Sequence, residues 1–310
     1  MQSPGKWLRQ WSIMLLLVLW RPLAAQGVPP GPPAASSATD DAAVRKAAAD
    51  QERLVTLEGS LDATNAYYER GYQIEDDGAI FQPSLTAYVH PRWLNFGDTR
   101  VSPYISTWNS MHTDPSPQSP HWWYEADLAA GIEIEHKHMT LDLEYEWEAF
   151  PGGAEKNESE FGATLEYHDG WLTKKLLHLP FFLAPHVGIY QSLGAPSNAE
   201  NGRTGTYLEL GLEPTHTRRI FGTAVSFSIP IVLGMGFSDV YTTSAGHNQI
   251  AGYVSSGLRT KIPLSLPKEW GRWKLVLGVD YLRLLADSPT VDNRGDRDAL
   301  IGKAGLEFTY

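Results

Sequence analysis

Acidic side chains recur at alternate positions in two neighbouring stretches of the chain, interrupted only by Ala129 and Gly131 in the first, and apolar side chains occupy the positions between them. A period of two is typical of a β-strand, whose successive side chains point to opposite faces of the sheet. A strand pair of this kind presents carboxylates on one face, where they can attract cations. The carboxylates with this spacing are Glu125, Asp127, Glu133 and Glu135 in the first stretch and Asp142, Glu144 and Glu146 in the second.

The intervening apolar residues, such as Leu128, Ile132 and Leu143, suit contact with lipid. In a transmembrane β-barrel, apolar side chains face the lipid and polar side chains face the lumen. The carboxylates would then face inward, where Glu166 and Glu209 of two later stretches join them. The sequence therefore predicts an acidic wall along one side of a lumen, and this name is used below for the inward carboxylates of these strands.

Two interpretations of the acidic wall compete. It is either an electronegative pore lining that favours cations or an ordinary solvated face that keeps the barrel interior wet. Carboxylates on neighbouring strands repel one another unless water, cations or basic side chains compensate. We consider Arg70, Lys274 and Lys303 the candidate basic partners.

Other chemistry finds less support in the sequence. The chain has no cysteine, which excludes disulfides and thiolate catalysis, and it has no G-x-S-x-G motif. His136 and His138 point to the same side if extended and could share a metal, although solvated histidines in a tight turn are the simpler interpretation. We expect no catalytic residue, no metal site and no cofactor. A hydrolase, the second alternative, would need a Ser and a His meeting at the barrel rim.

The elements that position these residues have a period of two from about residue 58 to residue 310. The pattern predicts an all-β fold, an antiparallel up-and-down transmembrane β-barrel of about twelve strands, with ten or fourteen as alternatives. The final stretch, 300–310, alternates strictly and ends on an aromatic residue, as a closing barrel strand would. The expected strands are 59–73, 79–90, 99–109, 122–136, 138–148, 158–169, 180–192, 204–214, 219–234, 248–262, 272–285 and 298–310.

The predicted connections fall into two classes, which is typical of a membrane barrel with short turns at one end and longer loops at the other. Residues 136–138 and 213–218 are expected to be short turns. The first loop is expected to be short, at about 75–78. The longer loops are expected at 110–121, 193–203, 235–247 and 286–297.

Aromatic residues cluster near the expected strand ends, which resembles the interfacial girdles of a membrane barrel. One group, expected at the outer rim, is Trp122, Trp123, Tyr124, Trp147 and Phe150. The other, expected at the inner rim, includes Trp93, Trp171, Trp270, Trp273 and Tyr310, and Phe308 lies in the same closing strand.

The start of the chain has the pattern of an export signal. Lys6 and Arg9 precede an apolar run from Trp11 to Trp20, and small residues follow it, so residues 1–25 are expected to be a signal peptide. Residues 26–57 are expected to be a Pro/Ala-rich linker with a possible short helix, followed by the barrel at 58–310. The 36 acidic residues outnumber the 25 basic ones, which argues against nucleic-acid binding.

Several short motifs resemble the TorF-type family of outer-membrane porins of Gram-negative bacteria. They are 64–73 (TNAYYERGYQ), 80–84 (IFQPS), 101–109 (VSPYISTWN), 143–152 (LEYEWEAFPG) and 160–163 (EFGA). The likeness is diffuse and covers most of the expected barrel. It implies a porin-like role and supplies no catalytic residue.

These observations favour a porin-like channel of the bacterial outer membrane that admits small polar solutes or ions by passive diffusion. The acidic wall would bias such a channel toward cations, through a lumen that is water-filled or partly plugged. The main alternative is a non-conducting structural, adhesive or receptor barrel. Expected partners are outer-membrane lipid, the permeating solutes or cations, and the barrel-assembly machinery through the C-terminal strand.

Overall fold

The computed structural model describes residues 53–114, 116, 120–153, 156–193, 205–238 and 240–310. The expected signal peptide and most of the expected linker lie outside these residues. No helix in the described ranges is long and apolar enough to cross a bilayer.

Sixteen strands and one short α-helix make up most of the described structure. The helix, α1, spans Asp287–Asp292. The strands are β1 (Val55–Thr64), β2 (Tyr67–Glu69), β3 (Tyr72–Glu75), β4 (Ile80–Val89), β5 (Thr99–His112), β6 (Trp123–His136), β7 (Met139–Ala149), β8 (Glu158–Tyr167), β9 (His186–Ser192), β10 (Thr206–Leu212), β11 (Thr215–Ile220), β12 (Thr223–Ser228), β13 (Ile231–Phe237), β14 (Ala251–Leu264), β15 (Arg272–Leu284) and β16 (Asp298–Thr309).

The strands form a closed barrel with twelve wall strands, all paired antiparallel to their neighbours. Two wall strands are each made of two segments, β10 with β11 and β12 with β13, and the short pair β2–β3 is not part of the wall. The barrel closes where β1 pairs with β16, from Glu58 opposite Thr309 to Thr64 opposite Lys303. The predicted all-β antiparallel barrel of about twelve strands is therefore confirmed.

Proline explains the two interrupted wall strands. Pro214 separates β10 from β11, and Pro230 separates β12 from β13. Because proline has no N–H to donate, it interrupts a ladder of backbone hydrogen bonds. The sequence interpretation placed a short turn at 213–218, which is wrong, since β11 continues to Ile220 and the turn lies at Phe221 and Gly222.

The connections divide between the two ends of the barrel. The loop end carries 65–79, 113–122, 150–157, 193–205, 238–250 and 285–297, and the turn end carries 90–98, 137–138, 168–185, 221–222 and 265–271. The 168–185 connection contains a π-helix at Trp171–Leu176.

The first loop is longer than the expected 75–78. The first wall strand ends at Thr64, where its hydroxyl donates a 2.7 Å hydrogen bond to the Ala66 carbonyl, and does not run on to residue 73. The seventh begins at His186 and not at residue 180.

The inside of the barrel holds two hydrophobic clusters, and the short β2–β3 pair contributes to both. Tyr68 and Tyr72 belong to the larger cluster, with Tyr207, Tyr241 and other buried residues. The smaller cluster consists of Tyr67, Ile74, Ile80, Trp108, Tyr124 and Phe150. Aromatic side chains therefore occupy interior space that an unplugged porin would fill with water.

Candidate functional site

The first loop folds back into the barrel as a β-hairpin, residues 67–75, which we call the lumen hairpin. Its strands β2 and β3 are joined by a two-residue turn, Arg70 and Gly71, with φ angles of 47° and 89°. Positive φ at both central residues is the geometry of a type I′ turn, which matches the twist of the flanking strands. A Cβ atom at position 71 would also approach the Tyr253 ring to 3.0 Å, so glycine avoids both backbone strain and a tight contact there.

The lumen hairpin reaches across the barrel. It emerges between β1 and β4, and its tip contacts β8, β9 and β10, the sixth to eighth wall strands counted from β1. Partway along, the Tyr67 hydroxyl donates a 2.9 Å hydrogen bond to Glu125 on β6. The hairpin therefore plugs the lumen.

Arg70 at the hairpin tip sits in a site made of wall side chains. Its two terminal nitrogens donate hydrogen bonds of 2.7 and 2.5 Å to the two carboxylate oxygens of Glu160. The guanidinium carbon lies 5.4 Å from the Tyr190 ring centre and 4.9 Å from that of Tyr207. A forked ion pair combined with aromatic faces is a strong arrangement for binding a guanidinium.

Two loops at the loop end contact the hairpin. The Tyr72 ring stacks on Tyr241 with a centroid distance of 5.8 Å, and the Tyr241 hydroxyl donates a 2.7 Å hydrogen bond to the Arg70 carbonyl. The Tyr68 hydroxyl donates at 2.7 Å to Asn293, just beyond α1. Burial raises the pKa of both Tyr68 and Tyr72 to about 12, so both hydroxyls stay neutral while the hairpin lies in the lumen. We call this arrangement the seated form.

The structure places all the carboxylates of the acidic wall on the inward face. Four cross-strand pairs set carboxylates directly opposite one another. These pairs are Asp127 with Glu148, Glu133 with Asp142, Glu146 with Glu160, and Glu148 with Glu158. The inward side chains are Glu125, Asp127, Glu133, Glu135, Asp142, Glu144, Glu146, Glu148, Glu158, Glu160, Glu166 and Glu209.

Hydroxyl, imidazole and guanidinium groups compensate part of the acidic wall. The Tyr104 hydroxyl lies 2.8 Å from both Asp142 and Glu144. Other contacts pair Arg100 with Glu135 at 2.6 Å, His168 with Glu166 at 3.2 Å and His186 with Glu209 at 3.3 Å.

Of the three basic partners expected for the acidic wall, Arg70 alone contacts it. Lys303 pairs with Asp62 at 2.9 Å, and Lys274 pairs with Glu307 at 3.6 Å. These lysines lie on β15 and β16 and, with Arg259 and Lys261 of β14, form a second wall that is rich in basic residues. The lumen is therefore electrically asymmetric, with excess negative charge on β6 to β8 and basic groups on β14 to β16.

Some of the aromatic residues expected at the rims are exposed, and others are buried. Trp122 is 63% exposed, Trp123, Trp147 and Tyr310 are also exposed, and Trp273 stacks on Phe308 at 5.0 Å. Their role as interfacial anchors stays a prediction.

Two residues expected at the outer rim lie inside the barrel instead, because Tyr124 is only 2% exposed and Phe150 packs against it. A β-bulge explains the position of Tyr124. Ser110 pairs with Glu125 and the next residue, Met111, pairs with Trp123, so Tyr124 is the extra residue and turns inward.

Sequence reasoning missed one pair with nucleophilic chemistry. The Ser110 hydroxyl lies 2.8 Å from His112 Nε2, and His112 Nδ1 lies 4.0 Å from Glu75 of the lumen hairpin. A Ser-x-His spacing on one strand places both side chains on one face, and that is the signal that could have revealed it. All three residues are 1% exposed or less, and the Tyr124 ring stacks on His112, so the serine is enclosed.

The two histidines considered as metal ligands are engaged separately. His136 hydrogen bonds to Thr99 at 2.7 Å, and His138 stacks on Trp171. In the described part of the chain, three candidate ligand atoms come within 4.8 Å of one another only at Glu75, Asp76 and Asp77. Glu75 there accepts backbone hydrogen bonds, and Asp76 pairs with Arg294.

Comparisons with known proteins find similarity of fold. No family model matches the chain, and no curated protein matches it. The likeness to the TorF-type family therefore stays a hypothesis.

The solved structures that resemble the chain include outer-membrane β-barrels. The β domain of the Bordetella autotransporter BrkA is 14% identical, with a TM-score of 0.41, and the match covers 83% of this chain and 99% of that one. An outer-membrane channel from Pseudomonas putida F1 is 10% identical, with a TM-score of 0.42 and coverages of 83% and 94%. The translocator domain of the autotransporter NalP from Neisseria meningitidis is 9% identical, with a TM-score of 0.36 and coverages of 87% and 95%.

Proposed function

We propose that this chain is an outer-membrane channel for small polar solutes or cations, which diffuse passively through the lumen when the lumen hairpin moves aside. The observation that carries the proposal is the acidic wall, with carboxylates facing inward on three consecutive strands. Charged side chains that face one another across strands need water, cations or basic side chains beside them. Among the described residues, Arg70 and Arg100 pair with two of these carboxylates, Glu160 and Glu135. An interior built in this way suits a solute pathway better than a dry structural core.

The lumen hairpin makes this a plugged channel. A barrel of twelve strands has a wider interior than one of eight, whose side chains nearly fill it. Here the extra width is crossed by the hairpin, and the seated conformation is the closed one. The acidic wall then sets which solutes enter once the hairpin leaves, since rings of carboxylates favour cations.

Conductance of the mature protein, refolded in detergent and inserted into a planar bilayer under a salt gradient, tests the proposal. Heat-modifiable gel mobility of the same sample establishes that the barrel is folded. We expect infrequent, cation-biased openings for the wild type. We expect frequent openings for a variant in which residues 67–75 are replaced by a short Gly/Ser linker.

Absence of channel openings in both the wild type and the linker variant, with insertion established, would reject the channel. It would leave the non-conducting scaffold, adhesive or receptor barrel. Anion bias in the linker variant would reject the role of the acidic wall and leave the channel intact.

The contact between Ser110 and His112 is the one observation that favours a second candidate function, an outer-membrane hydrolase. A hydroxyl beside an imidazole is the usual nucleophile and base pair. We infer that the seated form is inactive, because the lumen hairpin and Tyr124 enclose the serine. A fluorophosphonate probe that labels a variant in which a Gly/Ser linker replaces residues 67–73 and Glu75 is kept, and does not label the same variant with Ser110→Ala, would favour this function.

We also propose an outer-membrane location, with export by the N-terminal signal and assembly through the C-terminal strand, β16. Fractionation of expressing cells tests the location. Mass measurement of the recovered protein tests removal of residues 1–25. Recovery of uncleaved protein in the cytoplasmic membrane would contradict both points.

A further inference from the structure

The binding site of Arg70 is built by the barrel wall and not by the hairpin that supplies the arginine. Glu160 lies on β8, Tyr190 on β9 and Tyr207 on β10, so one carboxylate and two rings converge from three adjacent strands. Wall hydrogen bonds hold these groups in place. Tyr190 contacts Thr164 at 3.0 Å, and the Tyr207 hydroxyl donates to Glu209 at 3.0 Å. The wall would therefore keep this arrangement if Arg70 left.

The surroundings of the site are rich in carboxylates. Asp127 is 8% exposed, and its Oδ1 atom has no hydrogen-bond partner among the described residues. Asp127 lies directly opposite Glu148 on the neighbouring strand, and Glu146 lies directly opposite Glu160. In the seated form Arg70 pairs with this cluster through Glu160.

We propose that this site binds small solutes that carry a guanidinium group, and that Arg70 is a tethered occupant that competes with them. The inference rests on the proposed channel function, since it names the class of solute that such a channel would select. A guanidinium is favoured over a simple ammonium because its planar fork matches both oxygens of Glu160. Its flat face also suits the Tyr190 and Tyr207 rings.

Competition by a tethered group has a measurable consequence. A short flexible tether keeps its group at an effective concentration in the millimolar range, so a free ligand sees a site that is mostly filled. The apparent dissociation constant of the free ligand equals its intrinsic value divided by the fraction of sites that the tether leaves empty. Removal of the Arg70 side chain should therefore tighten binding of the free ligand.

The test is calorimetric titration of the folded, detergent-solubilised mature barrel with methylguanidine, with methylammonium as a probe of equal charge. In Arg70→Ala we expect methylguanidine to bind at least about tenfold more tightly than in the wild type, as expected when an intramolecular competitor is removed. Methylammonium should bind more weakly than methylguanidine. The double variant Arg70→Ala with Glu160→Gln should lose methylguanidine binding while keeping heat-modifiable mobility.

Three results would overturn the inference. The first is absence of methylguanidine binding to Arg70→Ala, the second is equal binding of the two probes, and the third is unchanged binding after Glu160→Gln. If Arg70→Ala does not refold, Arg70→Gln retains much of the side-chain volume without the charge and takes its place.

Conductance of the same variant separates this inference from the channel proposal. A conducting variant that ignores methylguanidine rejects the guanidinium site and keeps the channel. A variant that binds methylguanidine and never conducts rejects the channel and keeps a binding site.

Discussion

The Tyr67 hydroxyl of the lumen hairpin donates a 2.9 Å hydrogen bond to Glu125 of β6, and both side chains are almost fully buried. This bond joins the plug to the acidic wall. Moving the hairpin out of the lumen leaves the Glu125 carboxylate without the hydroxyl that it uses in the seated form. Plug position and charge in the lumen are therefore coupled.

Replacement of Tyr67 by Phe should weaken the plug while keeping the aromatic packing. The variant loses the hydroxyl donor to a buried carboxylate, a change that costs roughly 1–3 kcal/mol. We expect a lower urea midpoint for loss of heat-modifiable mobility and more frequent channel openings. The control is Tyr145→Phe, since Tyr145 is exposed on β7. Openings as rare as in the wild type would contradict the anchoring role of Tyr67.

Replacement of Gly71 by Ala should unseat the hairpin tip, and the chain offers a matched control. Gly71 and Gly222 both occupy the second position of a two-residue turn, with φ of 89° and 84°. Alanine costs about 1–2 kcal/mol of backbone strain at either site. At Gly71 alone the new methyl group also meets the Tyr253 ring. Increased openings in Gly71→Ala and not in Gly222→Ala are expected, and equal behaviour of the two would count against the close packing at the tip.

Charge reversal in the acidic wall should change ion preference. Glu144 and Glu146 both face the lumen on β7, so replacing both by Lys should move the reversal potential toward anion preference. The control reverses two exposed charges at the turn end, with Asp98→Lys and Glu269→Lys. A reversal potential that stays at the wild-type value in the lumen variant would defeat selection by the acidic wall, while leaving the barrel itself unaffected.

Alkaline pH should release the hairpin. Burial raises the pKa of Tyr68 and Tyr72 from 10 to about 12, so the seated form disfavours the phenolate. The contribution of these hydroxyls is complete below pH 10 and is lost as the pH rises from 10 through about 12. Openings should increase in that window.

The control for the pH experiment is the double variant Tyr68→Phe, Tyr72→Phe, which has no phenol to ionise at these positions. It should open more often at neutral pH and show a flatter response above pH 10. An equally steep response in the double variant would show that other groups control the transition.

The wall of the barrel could be predicted from sequence because one physical pattern repeats along it. Each wall strand must be apolar toward lipid, so the period of two persists over long stretches, as in Leu141, Leu143 and Tyr145. The strand count and the direction of the acidic side chains follow from that repetition.

The plug could not be predicted in this way, because its aromatic residues Tyr67, Tyr68 and Tyr72 are also typical of the end of a barrel strand at the membrane interface. The sequence pattern predicts a single strand over 59–73, although the Arg70–Gly71 dipeptide allows a type I′ turn. Sequence pattern does not show whether an aromatic strand end extends outward or folds back. Tyr124 was misplaced for a related reason, since one bulged residue reverses the direction of a side chain.

The position of the hairpin in the chain also bears on how the protein assembles. The two strands of the hairpin pair with each other over a few residues of sequence. In contrast, Tyr68 hydrogen bonds to Asn293 and Tyr72 to Ser288, and both partners lie more than two hundred residues later in the chain. Contacts of such long sequence separation form late, because the intervening chain must first be ordered. We therefore expect seating to be completed only after the final strands have joined the sheet. A seated hairpin marks a molecule that has completed its folding.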